Sequence, residues 1–354
     1  MLNKERSILF KIADAINPFS WITWLRNMAF DFKIIKSHSF DIATVSIGNI
    51  TVGGTGKTPH TEYIAKLLKD NHKIAVLSRG YGRKSSGYIK AENNTPMLIL
   101  GDEPAQMKNK FPDIDVCVCE KRVIGIKKIM AENKNIEVIL LDDAYQHRHV
   151  KAGLNILLID SNRPLWQDCI LPFGRMRESM PGIKRADIVI MTKCNELTDN
   201  ERDWCKRYIE KIKDIPVFFT AIRYGIPYRI NDRKPLKEIE KEVLLVTGIA
   251  NPAPLKRELE KRGANVHMKQ YPDHHNFSNN DIEEITATYY GLNTNGIIIT
   301  TEKDAVRLLQ QKALPQKIKD IVYVMPIEVA FLYNEEDMFN QIIENYVTEN
   351  SRNS

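Results

Sequence analysis

Short runs of almost continuous apolar residues recur along the first two-thirds of this 354-residue chain, among them KIAVLS, EVILLD, LNILLID and ADIVIM. Such runs are typical of parallel strands covered on both faces, whereas half-exposed strands alternate apolar and polar residues. Stretches with helical spacing separate the runs. The pattern predicts a doubly wound, mainly parallel α/β domain over residues 37–220.

The rest of the chain predicts a second, smaller domain. Residues 221–240 are rich in glycine, proline and charge and are interpreted as a linker. Apolar runs within 241–345 predict a smaller α/β domain, and 346–354 form a polar tail. Inside the first domain, residues of about 161–185 are rich in proline, glycine and arginine. This segment is too long for a routine connection and is predicted to be a functional lid.

Composition excludes few classes of protein but is informative about partners. The chain is 43% hydrophobic and 27% charged, an ordinary balance for a globular protein. Its net charge of +6 permits phosphate-rich partners without requiring nucleic acid, and no nucleic-acid or obligate protein partner is predicted. The five cysteines form no zinc-like pairs, and Cys117 and Cys119 are interpreted as buried strand residues in a reducing compartment.

Residues 1–36 predict amphipathic helices. Their longest charge-free run, Ala15 to Leu25, is too short to span a bilayer. One helical stripe is apolar, and it consists of Trp21, Leu25, Met28 and Phe32. The stripe either packs on the protein's own core or lies in a membrane surface, which the six basic against three acidic residues of 1–40 would favour when the lipid is anionic.

The run VGGTGKT follows a predicted strand and opens a predicted helix, which is the context of a phosphate-binding loop. Lys57 is expected to reach the β- and γ-phosphates, and the Thr58 hydroxyl is expected to ligate Mg²⁺. A strict pattern has glycine at position 51, where this chain has threonine. The predicted nucleotide-binding residues are Thr51, Val52, Gly53, Gly54, Thr55, Gly56, Lys57 and Thr58.

Two acids, Asp142 and Asp143, follow the apolar run EVILL, so a strand end is expected to deliver carboxylates to the same edge of the sheet as the phosphate loop. They are predicted to act on the metal side, together with Thr58. The run IVIMTKCNEL resembles a guanine-reading motif, but Cys194 and Asn195 stand where its acid is needed. The nucleotide is therefore predicted to be ATP.

Three further groups of polar residues suggest an acceptor site. A carboxylate and a histidine are the parts needed to deprotonate a hydroxyl group and to orient the base. Closure of two domains could bring such groups together. The three groups are Arg79, Tyr81 and Arg83; Asp102 and Glu103; and Asp273, His274 and His275.

The blocks GNITVGGTGKTP, SRGYGR, GDEP, DDAYQH, LPFGRMRE, TKC, PDHHNF and TEKDAV occur in this order over nearly the whole chain. In this combination the chain resembles the tetraacyldisaccharide 4′-kinase family of lipid A biosynthesis. The resemblance implies transfer of the ATP γ-phosphate to the 4′-hydroxyl of an acylated glucosamine disaccharide 1-phosphate. It also implies a peripheral protein at the cytoplasmic face of the bacterial inner membrane, which favours the membrane interpretation of residues 1–36.

The resemblance also implies roles for single residues. Asp102 matches the family's catalytic aspartate and His274 matches its partner histidine, while the adjacent His275 stays open as the alternative. Asp142 and Asp143 match the metal-side acids, while Arg122 and Arg177 match arginines that stabilise phosphoryl charge. Glu302, Lys303 and Asp304 match a motif of the second domain.

Two blocks depart from the family pattern. DDAYQH stands for the usual DDGFQH, and PFGRMRE stands for the usual PAGPLRE. The second change leaves Arg175 and Arg177 both open as the arginine of the lid, with Arg177 favoured because its RE context is retained.

Two alternatives of other classes remain open from the sequence. One is a P-loop GTPase that matures a metal centre, with Cys117, Cys119 and the histidine pair passing the metal. The other is a nucleotide-dependent membrane switch without acceptor chemistry, in which Asp102 and His274 would have no task.

Overall fold

The computed structural model describes residues 5–239, 242–273, 275–292, 296–311 and 313–350. Its strands are β1 (Ala43–Gly48), β2 (Ile74–Ser78), β3 (Ile89–Lys90), β4 (Asp115–Val118), β5 (Val138–Asp142), β6 (Leu154–Asp160), β7 (Ile188–Thr192), β8 (Val217–Tyr224), β9 (Tyr228–Arg229), β10 (Glu242–Thr247), β11 (Asn265–Gln270), β12 (Ile297–Thr301), β13 (Val322–Met325) and β14 (Ile327–Phe331).

The helices are α1 (Ile8–Ile16), α2 (Pro18–Asp31), α3 (Lys57–Leu68), α4 (Met97–Leu100), α5 (Asp102–Lys110), α6 (Arg122–Glu132), α7 (Asp199–Glu210), α8 (Ala253–Lys261), α9 (Asn279–Gly291), α10 (Glu302–Leu309), α11 (Gln316–Lys319) and α12 (Glu336–Asn350). Two short 3₁₀ helices, Leu165–Gln167 and Met180–Arg185, lie between β6 and β7.

The chain forms two compact units. The first contains the described residues of 1–95, 107–222 and 329–354. The second contains those of 96–106 and 223–328. Both are α/β units, as the sequence predicts.

A large, mainly parallel sheet forms the centre of the first unit, in the order β14-β8-β7-β6-β1-β5-β2-β4-β3. The pairings from β4 to β8 are parallel, and β3 closes one edge antiparallel to β4. Every residue of β1, β2, β5 and β7 is buried, which explains their continuous apolar runs. The register pairs Ile47 with Asp142, so β1 and β5 end side by side where the phosphate loop begins.

The second unit contains a smaller sheet in the order β11-β10-β12-β13-β9. Its first three pairings are parallel, and β9 is antiparallel to β13. The register aligns the ends of β10, β11 and β12, because Thr247 pairs with Gln270 and Leu245 pairs with Ile299. The loops after these three strands therefore leave the sheet at one edge.

The units are divided differently from the predicted domains. Residues 96–106, expected in the first domain, belong to the second unit, and 329–350 belong to the first. Tyr346 of α12 explains the second difference, since its hydroxyl lies 3.1 Å from both the N–H and the carbonyl oxygen of Thr44. The helix continues to Asn350 through the start of the predicted tail, and the predicted linker contains the end of β8 and all of β9.

The segment 161–185 is packed rather than loose in this structure. Trp166, Ile170 and Met176 are fully buried in the core of the first unit. Met176 also forms an isolated antiparallel bridge with Thr51, so the segment runs beside the phosphate loop. Its function as a lid stays a prediction.

Three of the four residues of the predicted apolar stripe face outward, and the fourth, Met28, is partly buried. Trp21, Leu25 and Phe32 are 59%, 58% and 67% exposed, so the alternative in which these side chains pack on the core is wrong. Asn17 caps α2 by accepting from the N–H of Phe19, and Pro18 occupies the first turn. Across the described ranges, no helix is both long enough and apolar enough to cross a bilayer.

Candidate active site

The phosphate loop lies between β1 and α3. Gly53 and Gly56 have φ values of 107° and 90°, in the region that favours glycine. Gly56 is the N-cap of α3 and supplies no side chain to the helix terminus. The first N–H groups of α3 and the positive end of its dipole are thus directed at the loop, as anion binding requires.

Residues at the ends of neighbouring strands hold the phosphate loop in place by hydrogen bonds. The Asn49 amide donates to Thr55 Oγ1 at 2.7 Å, and the Thr192 hydroxyl donates to the carbonyl oxygen of Thr55 at 2.9 Å. Lys193 Nζ donates to the carbonyl oxygen of Gly54 and to Asp160 Oδ2, at 2.5 and 2.7 Å. The lysine of the TKC block therefore holds the loop backbone, a role that its sequence context does not reveal.

Threonine is tolerated at position 51 because the backbone there is part of a β-bridge. Thr51 pairs with Met176 and is buried. Its carbonyl oxygen accepts a 3.0 Å hydrogen bond from Arg177 Nε. Glycine is needed two residues later, where φ becomes positive.

His60 stabilises the last glycine of the loop from the first turn of α3. Its Nδ1 lies 2.7 Å from the carbonyl oxygen of Gly56, and its Nε2 lies 3.0 Å from Thr220 Oγ1. A neutral ring protonated on Nδ1 satisfies both, since it donates to the carbonyl and accepts from the hydroxyl. Burial lowers the pKa of His60 to about 4, which keeps the ring neutral.

Asp143 brings two predicted cations together. Its Oδ1 lies 3.7 Å from Lys57 Nζ and 3.1 Å from Arg177 Nη2. Burial would raise the pKa of Asp143, but the charges of Lys57 and Arg177 outweigh burial and hold the pKa below its ordinary value. Asp143 also has a φ of 46°, an uncommon value for a residue other than glycine.

Asp142 and Arg122 lie on the same edge of the sheet. Asp142 is buried, and its Oδ1 accepts from the hydroxyl of Thr61 at 3.1 Å. Arg122, only 2% exposed, donates to the carbonyl oxygens of Cys119 and Asp142 at 2.7 and 3.3 Å. The structure thus places Lys57, Arg122, Asp142, Asp143 and Arg177 together around the loop.

Arg122 has both acidic and basic neighbours. Burial lowers the pKa of Arg122 to about 10, the charges of Asp142 and Asp143 oppose this shift, and Arg79 adds to it. Burial also lowers the pKa of His147 to about 4, with further lowering from Arg122, Arg79 and Arg26. Buried positive charge of this kind favours an anionic ligand such as a phosphate group.

Gln146 and Glu178 are site residues that the sequence does not single out. The Gln146 amide donates to the carbonyl oxygen of Asn49 at 2.7 Å and to Glu178 Oε1 at 3.0 Å. Glu178 is buried and accepts from Arg185 and Asn27. Both lie inside recognised blocks, DDAYQH and GRMRE, but their pairing across 32 residues leaves no local pattern.

The second unit contains the candidate acceptor residues. Asp102 begins α5, and its carboxylate pairs with Arg307 of α10. Glu103 pairs with Lys303 at 3.3 Å. Arg307 also bonds to Asp304, so the GDEP and TEKDAV blocks meet in one unit.

The PDHHNF block lies at the same edge of the second sheet, although His274 itself lies outside the described residues. A Cβ atom built on Gly248 would lie 3.0 Å from the carbonyl oxygen of Pro272 and 3.3 Å from both Asp304 and His275. His275 is bonded to Asp281 at 2.9 Å and stacks on Tyr271. The blocks that carry Asp102 and His274 are thus in one unit rather than one in each domain, contrary to the predicted boundaries.

Comparisons with known proteins agree with this arrangement. A family model described as tetraacyldisaccharide-1-P 4′-kinase matches residues 12–348. The chain is 45% identical to a tetraacyldisaccharide 4′-kinase of Phocaeicola vulgatus, covering 98% of both chains. It is 42% identical to the protein of that name from Bacteroides thetaiotaomicron, covering 97% of this chain and 96% of the other. The chain belongs to the tetraacyldisaccharide-1-P 4′-kinase family.

A solved structure supports the same conclusion. The crystal structure of LpxK from Aquifex aeolicus in complex with ATP is 26% identical, with a TM-score of 0.74, and the match covers 98% of this chain and all of that one. The P-loop kinase fold and the resemblance are therefore confirmed. The protein is an ATP-dependent kinase of lipid A synthesis that phosphorylates the 4′-hydroxyl of tetraacyldisaccharide 1-phosphate. Membership of this kinase family rules out the two alternative hypotheses, the metal-maturation GTPase and the membrane switch.

The neutral His60 predicts a loss of stability in acid. An unfolded histidine takes up a proton near pH 6.5 and folded His60 only near pH 4, so the unfolded state binds more protons between these values. The free energy of unfolding should fall as the pH is lowered through this window, by on the order of 3 kcal/mol at pH 4. Denaturant unfolding at several pH values should show a weaker dependence in His60→Gln. His149→Gln, a matched control in the same unit, should keep the wild-type dependence, and an unchanged slope in His60→Gln would contradict the assignment.

Arg177 and Arg175 can be separated by activity. Arg177 contacts the loop backbone and Asp143, whereas the Arg175 side chain is exposed. A transition-state arginine is worth about 10³ or more in rate, so Arg177→Ala should lower kcat by about 10³-fold. Arg175→Ala should stay within a few-fold of wild type, as measured by phosphate transfer from radiolabelled ATP. Equal losses in both variants would show that the contacts of Arg177 do not identify the arginine of the reaction.

Proposed function

We propose that the first unit holds ATP and Mg²⁺ while Asp102 of the second unit, assisted by His274, takes the proton of the 4′-hydroxyl. The oxygen of that hydroxyl then bonds to the γ-phosphorus as the bond from the γ-phosphorus to the β-phosphate oxygen breaks. The products are ADP and the 1,4′-bisphosphorylated disaccharide. The observation that carries this proposal is the grouping of Lys57, Arg122 and Arg177 around the phosphate loop.

The residues of the loop support the nucleotide side. N–H groups at the start of α3 would bind phosphate oxygens, and Lys57 would exchange Asp143 for the β- and γ-phosphates. Arg177 and Arg122 would offset the charge that spreads over the transferring group. Phosphoryl transfer depends mainly on such positioning and charge, so this set of cations suits the reaction.

The oxygen ligands near the loop fit Mg²⁺. Magnesium in nucleotide sites is held by one or two protein oxygens together with phosphates, rather than by a cage of protein ligands. The hydroxyl of Thr58 and the carboxylates of Asp142 and Asp143 are hard oxygen donors beside the loop. The described residues contain no group of three acidic, histidine or cysteine side chains arranged to hold a metal. When bound, Mg²⁺ would neutralise phosphate charge.

The carboxylate of Asp102 is the proposed proton acceptor. It stands at the N-terminus of α5, where the helix dipole and the paired Arg307 stabilise its ionised form. The nearby PDHHNF block supplies His274 as the residue that would orient the base and share the proton. A positioned general base contributes roughly 10²–10⁴-fold to a rate.

Replacement of the carboxylate tests the acceptor assignment. Asp102→Asn should lower kcat by roughly 10²–10⁴-fold while nucleotide affinity stays unchanged, because the amide cannot take up the proton. Phosphate transfer to the extracted disaccharide precursor and calorimetric ATP binding measure the two quantities. Asp320→Asn, an exposed aspartate of the same unit bonded to Asn231, is the matched control. Full turnover in Asp102→Asn would remove this residue from the base role.

We further propose that α1 and α2 bind the kinase peripherally to the cytoplasmic face of the inner membrane. Their polar side chains attach them to the first unit: Asp14 accepts from the N–H of Ile170 at 2.8 Å, and Asn17 donates to the carbonyl oxygen of Leu171 at 2.7 Å. Asn27 donates to Glu178 at 3.1 Å. The large apolar side chains on the opposite side are exposed, namely Ile8, Leu9, Ile12, Ile16, Phe19, Trp21, Ile22, Trp24, Leu25 and Phe32.

In these helices the polar side chains face the protein and the apolar side chains are exposed, and this arrangement supports a lipid partner. Contiguous exposed apolar surface marks an interaction site, and a substrate with four acyl chains resides in a bilayer. The basic residues of 1–40 would add roughly 1 kcal/mol each near an anionic surface, and less in salt. The helices would lie in the interface plane.

Vesicle flotation tests the membrane proposal. Trp21→Glu combined with Leu25→Glu should sharply reduce co-flotation with vesicles of phosphatidylcholine and phosphatidylglycerol, because each buried side chain is worth about 1.5–3 kcal/mol. Ile226→Glu is the matched control, since Ile226 is an equally exposed apolar residue of the second unit. Undiminished flotation of the double variant would refute the role of α2.

A further inference from the structure

We infer that Arg307 is a positioning residue of the kinase reaction: Asp304 orients its side chain, which in turn fixes the direction of the Asp102 carboxylate. This inference rests on the proposed role of Asp102 as the base. Arg307 lies just after the TEKD motif, whose contribution the sequence leaves open.

Arg307 is a buried cation between two carboxylates. Its guanidinium is 1% exposed, and its Nη1 bonds to Asp304 Oδ1 at 3.2 Å while its Nη2 bonds to Asp102. A planar guanidinium presents its donors in a fixed fork, so two partners define its orientation. The position of Asp304 therefore sets the direction from which Arg307 holds Asp102.

Asp304 is itself rigidly held. It is fully buried, and its Oδ2 accepts from the hydroxyl of Thr247 at 3.1 Å, the N–H of Gly248 at 3.0 Å and the hydroxyl of Thr301 at 2.7 Å. Thr247 ends β10 and Thr301 ends β12, which are paired strands. The sheet thus fixes Asp304 and, through Arg307, the start of α5.

A second pair supports the same arrangement of helices. Lys303 of α10 lies about one helical turn before Arg307, and it bonds at 3.3 Å to Glu103, the residue after Asp102 in α5. Both acids of the GDEP block are therefore held by basic side chains of α10. Asp102 follows Gly101, whose φ of 90° allows the turn that presents the carboxylate to α10.

The orientation of a base matters because a displacement of about 1 Å can cost about 10²-fold in rate. Loss of Arg307 should leave the phosphate loop intact, since the loop belongs to the first unit. The expected result is a lower kcat with an unchanged KM for ATP. If Arg307 had a purely structural role, its loss would instead lower the fraction of folded protein, without a specific fall in the kcat of the folded enzyme.

The test measures kcat and KM for ATP in the full chain for Arg307→Gln, Asp102→Asn and the double variant. Arg307→Gln should lose about 10²-fold in kcat. The double variant should be little worse than Asp102→Asn, because residues of one network are not additive. Arg262→Gln is the matched control, because Arg262 pairs with Glu258 in the same unit, and it should keep wild-type kcat.

The outcomes are distinguishable. Wild-type kcat in Arg307→Gln, or losses that multiply in the double variant, would overturn the inference while leaving Asp102 as the base. Full activity of Asp102→Asn would instead refute the proposed function. Arg307→Lys should recover part of the activity, since it keeps the charge without the fork, and a lysine variant no better than glutamine would also count against the inference. If Arg307→Gln does not fold, Arg307→Lys is measured instead. The inference is supported if Arg307→Lys lowers kcat in the wild-type protein but causes no further loss in Asp102→Asn. Wild-type kcat in Arg307→Lys overturns it.

Discussion

The side chain of Arg177 joins the parts of the nucleotide site. It donates to the backbone of the phosphate loop at Thr51, to the side chain of Asn49 at the end of β1, and to Asp143 after β5. Without Arg177, only the charges of Lys57 and the more distant Arg122 among its described neighbours would balance the partly buried Asp143 carboxylate. The packed segment 161–185 positions Arg177, because its Trp166, Ile170 and Met176 are buried in the core and anchor the segment beside the loop.

The same segment connects the nucleotide site with the exposed helices. Asn17 and Asp14 bond to the backbone at 170–171, and Asn27 bonds to Glu178, the neighbour of Arg177. Glu178 in turn accepts from Gln146, which donates to the backbone of Asn49. The helices are therefore fastened by their polar side chains to the residues that build the site, which leaves their apolar side chains facing outward. This outward-facing apolar surface is the feature on which the proposed membrane binding rests.

Sequence alone predicts local features well and distant pairings poorly. The strands, the phosphate loop and the acids after β5 follow from short patterns, because burial on both faces and the need for positive φ act on neighbouring residues. By contrast, the sequence pattern groups residues 96–106 and α12 differently from the compact units of the structure. The contacts that decide their places, Asp102 with Arg307 and Thr44 with Tyr346, span 205 and 302 residues and have no local pattern. Thr51 departs from the glycine pattern for a similar reason, because its partner Met176 lies far along the chain.

Both units hold carboxylates paired with arginine, but the balance of charge differs between them in the way that their proposed roles require. Around the phosphate loop, Lys57 and Arg177 both pair with the single carboxylate of Asp143. Arg122 donates to backbone carbonyl oxygens instead, so positive charge is left to bind phosphate. In the second unit, Arg307 is shared by Asp102 and Asp304, so negative charge predominates among these three side chains. A base must be ionised before it can take a proton, whereas a phosphate site must offset incoming negative charge. Arginine suits both proposed sites, because its guanidinium group fixes the direction of a carboxylate and stays charged when it is buried.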